Sequence, residues 1–403
     1  MANIRTTREV LSLRWRRSAA ALYAAVWVYS LLLGVAMIAM PWRIMSLGGK
    51  EAAVGLVGAI QMGVYAVACV PLARVAERLG AKGMAMTASG CAALCIVCMV
   101  MAPSVTALLT LVGIQAVAMS MFWPPVMGWI SAGHEEAGLN RRLGIFNCCW
   151  SSGVILGTFL GGVLFRLGPR VPFVVAASLS LVMLVLIASA RRQRGGPVLR
   201  GASVGPAQDL RLPLMRAMAR IAVVGAWLAV GVVWYPFAIF LKQCLAAGPQ
   251  AHGTIGSAMN VAMMCGFLVM GRIHRWHYNR AFFWGSQAVT AGMLLLLALS
   301  RTAWQAGAVV AMMSLAIAVI YVSNLYYGVS GGKRRAASMA LHETLLSVGF
   351  FIGSLGGGLI AQWYSPRAIF PIAAGAIAAG VVVQAFVFFH CRAKGGRGTL
   401  SAP

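Results

Sequence analysis

Long apolar stretches separated by short polar or basic punctuation make up most of this 403-residue chain. Twelve of them reach the roughly 20 residues that span a bilayer as a helix. The predicted spans are 19–41, 51–73, 83–103, 105–131, 142–166 and 170–190, then 217–241, 252–271, 281–300, 303–327, 338–363 and 368–391. None alternates at period two, which argues against a membrane β-barrel. Between the sixth and seventh, Arg191 to Arg216 is rich in Arg, Gly and Pro and lacks an apolar period. It reads as a linker outside the membrane. The expected fold is an all-α membrane protein of twelve transmembrane helices in two six-helix bundles, residues 1–190 and 217–403, joined by the linker 191–216.

The two halves repeat each other. At 100° per residue, Asn147, Trp150, Gly153, Gly157 and Gly161 share one stripe of the fifth predicted helix. An offset of 196 residues turns them into Glu343, Leu346, Gly349, Gly353 and Gly357 on the eleventh. Gly162 likewise becomes Gly358, and both helices follow basic clusters, Arg141-Arg142 and Lys333-Arg334-Arg335. Gly55-x-x-Gly58 opens the second helix and Gly253-x-x-Gly256 the eighth. Aromatic-flanked prolines, Pro41-Trp42 and Trp234-Tyr235-Pro236, mark the first and seventh. A same-sense repeat of six helices gives a pseudo-twofold axis along the membrane normal, the arrangement of transporters built from parallel repeats. Lipid tails are as apolar as leucine, so small residues four apart serve close backbone packing. Two readings of the stripes stand: they meet across a sliding interface between the halves, or they simply pack.

Composition supports the membrane reading. Hydrophobic residues are 61% of the chain and charged ones 10%, with a mean hydropathy of +0.84, more apolar surface than a soluble domain can bury. The net charge of +26 would suit nucleic acid, but its distribution does not. Arg43, Lys50, Arg166, Arg170, Lys242, Arg301 and Arg367 fall in one set of alternate connections, and the other 26 of the 33 Lys and Arg fall in the opposite set and the termini. That asymmetry is the positive-inside signal and sets both termini in the cytoplasm of a bacterial inner membrane. Nucleic-acid binding is excluded for want of a basic folded domain. Cys91, Cys95 and Cys98 share a helix face but read as small hydrophobes rather than metal ligands. His274 and His277, near Arg272, Arg275 and Arg280, read as a solvated loop face. No metal or organic cofactor is expected.

The loop after the second helix, Ala73-Arg74-Val75-Ala76-Glu77-Arg78-Leu79-Gly80-Ala81-Lys82, resembles the cytoplasmic loop motif of the major facilitator superfamily. Glu77, Arg78, Gly80 and Lys82 match it in kind; Ala73 and Ala81 depart from it. The resemblance implies a latch that holds the halves together, the acid meeting a helix N-terminus and a basic residue. The glycine run of the fifth helix is similar to that of the family's proton-coupled exporters, with Thr158 where a proline is usual. The drug–proton antiporters' arginine on the fourth helix is absent. Phe122-Trp123-Pro124-Pro125 with Asn147 and Trp150 resembles branches of the family with no settled substrate. The resemblance also implies that helices 1, 4, 7 and 10 surround a central cavity. They offer Tyr23, Trp27 and Tyr29, Gln115 and Phe122, Trp234 and Tyr235, and Tyr321 and Asn324. Asn147 and Trp150 join them as candidate cavity residues.

Seven acids are present, and only Glu343 lies inside a predicted membrane helix. A charged carboxylate there costs about 2.5–3.5 kcal/mol, so it should face protein or water. Glu343 is the candidate proton-coupling group, with His342 as relay. No basic residue is expected inside the helices, so a phosphate or dicarboxylate cargo is disfavoured. Aromatics with few polar groups suit a neutral or amphipathic organic solute. The expectation is a monomeric secondary active transporter, not an enzyme, exporting such a compound with proton coupling. An importer or uniporter of a sugar or metabolite, and a non-transporting sensor or assembly factor, are the alternatives.

Overall fold

The computed structural model describes residues 2–131, 136–190, 212–273, 275–329 and 335–398. Among the described residues, twelve helices are long and apolar enough to cross a membrane. We label them α1 (Ser18–Ser46), α2 (Glu51–Cys69), α3 (Arg78–Met101), α4 (Val105–Ile130), α5 (Gly144–Leu167), α6 (Val171–Ser189), α7 (Leu212–Trp234), α8 (Pro249–Met270), α9 (Arg280–Leu299), α10 (Ala303–Gly328), α11 (Leu341–Trp363) and α12 (Pro366–His390). The all-α expectation holds. Most of the proposed linker lies outside the described residues, but Leu212 to Arg216 are already the first turn of α7. The loop expected at 74–82 is helical except at Gly80, whose φ of 72° and ψ of 161° break the run between α2 and α3. That region of backbone space is essentially open to glycine alone. A short helix, Phe237–Cys244, continues α7 after a break at Tyr235-Pro236, where the proline removes a backbone donor.

The chain divides into two compact units, one of Met1–Gly49 with Gly63–Arg200, the other of Lys50–Met62 with Gly201–Pro403. In the first, α1 packs mainly on α5 and α6; in the second, α7 packs on α11, α12 and α10. The glycine stripes explain both arrangements. A Cβ on Gly153 would lie 2.6 Å from the Trp27 carbonyl oxygen, and one on Gly157 would collide with that of Leu31. On α11, Gly349 faces the Val224 carbonyl in the same way and Gly353 that of Leu228. Trp27 and Val224, like Leu31 and Leu228, are 197 residues apart, so the two units repeat the same contacts and not only the same glycines. The correspondence ends one turn on. Gly161 meets Val35, but Gly357 meets the Pro236 ring, because α7 breaks there. The stripes therefore seat α1 and α7 inside their own units. The reading that places them on a sliding interface between halves is not what the contacts support: Gly153, Gly157, Gly161, Gly349 and Gly353 each lie against a carbonyl of their own unit, and Gly357 against the Pro236 ring of its own unit.

Polar pairs supplement this packing where lipid offers no competing water. Gln287 of α9 and Gln384 of α12 exchange two amide hydrogen bonds, 2.7 and 3.0 Å, inside the second unit. Lys82 donates to the carbonyls of Ala188 and Ala190, at 2.7 and 2.5 Å. These are the open acceptors at the C-terminal end of α6, where a cation also suits the helix dipole.

Gly157→Leu and Gly353→Leu should each lower the melting temperature of the purified protein by similar amounts, reflecting overpacking of about 1–3 kcal/mol. Gly356→Ala, where an added Cβ meets nothing within 4 Å, should leave it nearly unchanged. Equal melting temperatures for all three would contradict the packing described.

Candidate functional site

Helix α11 presents two lines of residues to two different partners. The glycine line faces α7. A second line, Glu343, Phe350 and Ser354, follows from a spacing of seven and then four residues. Its upper part is covered by residues 51–58 of α2, which belong to the same unit. Ser354 Oγ donates to the Gly55 carbonyl at 2.8 Å. A Cβ on Gly358 would lie 2.7 Å from the Gly55 Cα, and the Phe350 ring fills the space a side chain at Gly58 would need. Around this contact the Tyr235 hydroxyl donates to Gln61 Oε1 at 2.5 Å. Gln243 Nε2 donates to Glu51 Oε1 at 2.8 Å, and the Ala52 N–H to Gln362 Oε1 at 3.2 Å.

Glu343 sits on the same line, roughly 16 Å along the helix from Ser354, where residues 50–62 no longer cover it. Its side chain is exposed, and among the described residues no cation or hydrogen-bond donor pairs with its carboxylate. Its neighbour His342 points the other way and is buried, with Nδ1 2.6 Å from the Asn324 amide of α10. With the amide as donor, the ring proton sits on Nε2, which is closed off from water and has no partner. Tyr321 meets the His342 ring edge-on at 5.0 Å, is stacked on Trp227 at 5.1 Å and lies 5.2 Å from Phe267. The structure thus brings Tyr321, Asn324 and His342 together beside Glu343. Trp234 and Tyr235 are also in this unit but are buried near the α7 break, with Tyr235 committed to Gln61.

In the first unit Tyr29 packs against Phe122 at 4.2 Å and Trp123 at 5.2 Å. Tyr29 and Phe122 are core residues here. Gln115 is buried with both amide atoms unpartnered. Trp27 and Trp150 are half-buried, and Asn147 is exposed. Of the loop motif, Arg78 is exposed, Gly80 makes the turn and Lys82 closes α6; the Glu77 side chain lies outside the described residues. The bonds that Lys82 makes here, to Ala188 and Ala190, are within its own unit.

Two features escaped the sequence reading. Arg43 is a buried cation inside α1, its Nη2 donating to the Ala102 carbonyl at 3.4 Å. Arg216 lies within α7, its Nε donating to the Tyr327 carbonyl at 2.9 Å. The expectation of helices without basic residues is corrected on both counts: α1 and α7 each extend past the predicted ends, and backbone carbonyls take the charges. The pairing of Gln61 with Tyr235 carries no local pattern either. Among the cysteines, Cys91 and Cys98 are exposed while the Cys95 thiol donates to the Leu111 carbonyl at 3.0 Å. Among the described residues no group of three or more His, Cys, Asp or Glu could hold a metal.

The comparisons agree with this architecture. The family model described as Major Facilitator Superfamily matches residues 22–331. No curated protein matches. Among solved structures, a POT family transporter in complex with a thioalcohol-conjugated peptide aligns with a TM-score of 0.75 at 11% identity, over 92% of this chain and 96% of that one. A bacterial homolog of the human lysosomal transporter Spinster, inward-facing and occupied, aligns with a TM-score of 0.73 at 13% identity, over 93% and 96%. The nucleoside transporter NupG aligns with a TM-score of 0.72 at 12% identity, over 92% and 99%. Identities this low speak for the fold alone. Twelve apolar helices, an internal repeat down to its carbonyl contacts and a family match over residues 22–331 have one conclusion: the chain belongs to the Major Facilitator Superfamily and is a secondary transporter.

Proposed function

We propose that this transporter exports a neutral or amphipathic small organic compound in exchange for protons, with Glu343 as the group that carries the proton. The observation that carries the reading is Glu343 itself. It is an acid near the N-terminal end of the α11 span, three residues in, exposed on the line of α11 that the α2 segment leaves uncovered, and no cation among the described residues neutralises it. A charged carboxylate in that setting is costly unless it faces water or gives way to its protonated form. A group held in such balance takes a proton on one side and releases it on the other. His342, one residue away, lies on the buried side, held by Asn324, with its Nε2 unpartnered in the interior. The half-exposed aromatics Trp227, Phe267 and Tyr321 next to it favour an apolar or aromatic body in the cargo.

In this reading residues 1–190 and 217–403 form the two rocking halves, and both termini lie in the cytoplasm of a bacterial inner membrane. The packing of residues 51–58 on α11 is the closed gate of one side. Its contacts combine close backbone approach at Gly55 and Gly358 with single hydrogen bonds from Ser354 Oγ and to Gln362 Oε1. The protein works as a monomer and needs no cofactor.

In proteoliposomes loaded with a pH-sensitive dye, compounds from a panel that are substrates should move protons with the wild type. Glu343→Gln should lose gradient-driven transport while keeping downhill exchange; undiminished driven transport by the variant would sink the coupling role. The gate is tested separately. In a background without the nine native cysteines, Ala52→Cys with Gln362→Cys, joined by a short cleavable thiosulfonate cross-linker, should halt transport, and dithiothreitol should restore it. Full transport while cross-linked would show that this contact does not open.

A further inference from the structure

The turn between α8 and α9 borders a cavity of about 660 Å³ lined by Arg275, His277, Tyr278, Asn279, Arg280 and Trp284. The backbone around it is fixed. Tyr278 adopts a left-handed φ of 55°, uncommon for a bulky residue. Its N–H is held by the Tyr327 hydroxyl at 2.8 Å. The Trp276 Nε1 donates to the Met270 carbonyl at 3.1 Å. Asn279 caps α9 itself, accepting from the Ala281 and Phe282 N–H groups, so the helix end is already satisfied and an incoming ligand would meet side chains.

Two of those side chains, Arg275 and Arg280, are cationic. The Arg280 guanidinium lies over the Phe388 ring, 4.2 Å from its centroid, which spends its face and leaves its N–H edges directed outward. Among the described residues no carboxylate pairs with Arg280 or Arg275. Trp284 follows four residues on, roughly 6 Å deeper along α9. Its Nε1 is enclosed and has no acceptor, which is unfavourable for a buried donor. Beyond the polar cluster, Phe282, Phe386 and Phe389 are exposed, at 42%, 70% and 61%, on α9 and α12.

We propose that this cavity holds the phosphate of an acidic phospholipid drawn from the surrounding leaflet. Arg275 and Arg280 provide the charge for the headgroup, and Trp284, one turn further along α9, lines the same cavity with an Nε1–H that lacks an acceptor. The exposed phenylalanines on either helix lie where acyl chains run. A free phosphate would use the arginines but gain nothing from Trp284 or the phenylalanines, and a zwitterionic lipid would bring a competing positive charge. Basic pockets at the ends of membrane helices are suited to this role. Lipid binding at this cavity is independent of what the protein transports.

The test is thermal unfolding of the full-length protein in detergent, titrated with phosphatidylglycerol, with phosphatidylcholine, and with inorganic phosphate at matched concentration. A ligand bound to the folded state alone raises the melting temperature. Phosphatidylglycerol should raise it at lower concentration and to a greater extent than phosphatidylcholine, and inorganic phosphate should have little effect. Arg275→Gln with Arg280→Gln should weaken the phosphatidylglycerol effect roughly thirtyfold, and Trp284→Phe should weaken it to a smaller degree. If the double variant does not fold, Arg275→Gln alone, at an exposed position, carries the comparison. Equal responses to the two lipids, or variants that respond like the wild type, would overturn the proposal. An equal shift with inorganic phosphate would also overturn it, by assigning the cavity to a soluble anion.

Discussion

The contact on which the rest of the structure depends is a backbone lying against a backbone. Within a bilayer, moving an apolar side chain from lipid to a helix interface gains little, so association must come from close van der Waals fit and from polar groups that lack water. Gly157 against Leu31 and Gly353 against Leu228 supply that fit at the same place in each unit. A side chain at either glycine would hold the helices apart and remove many small dispersion contacts at once. Once α5 is seated on α1 and α11 on α7, the positions of the remaining helices in each unit have few alternatives.

Seating α11 in this way decides what its other surfaces can do. With the glycine line committed to α7, the line of Glu343, Phe350 and Ser354 is left to meet something else. The first turns of α2 cover it at Ser354 and Gly358, again by backbone approach, and stop short of Glu343. His342, one residue before, falls on the buried side and is held by Asn324. Two adjacent polar residues thereby acquire different roles from the helical twist alone: one fixed by a hydrogen bond in the interior, one carrying an unpaired carboxylate on an open face.

Much of this was legible in the sequence and some was not. The helices could be read because a bilayer demands long apolar runs, and that demand leaves a mark on every span. The glycines could be read because their spacing is a helical repeat. Their partners could not, since Leu31 and Leu228 take part through carbonyl oxygens that every residue has. The helix ends were misjudged where polar residues continue a helix: Arg216 looked like linker but satisfies the Tyr327 carbonyl from inside α7. Gly80 stood in a presumed loop, yet only its own backbone angles turn the chain. Of the candidate site residues, Tyr321, Asn324, His342 and Glu343 lie together, while Tyr29 and Phe122 are core and Asn147 is exposed. Composition alone cannot separate an aromatic that lines a cavity from one that fills a core. Gln61 with Tyr235, or Gln287 with Gln384, are pairings across the fold that leave no local signature.

The central claim is that Glu343 exchanges protons while embedded in the membrane, and chemical modification tests it without knowledge of the cargo. A hydrophobic carbodiimide reacts with protonated carboxyl groups that it reaches through lipid. Peptide mapping of protein treated in liposomes should find Glu343 modified ahead of the other six acids, with the yield falling as the pH is raised. An unmodified Glu343, or a yield indifferent to pH, would contradict the account.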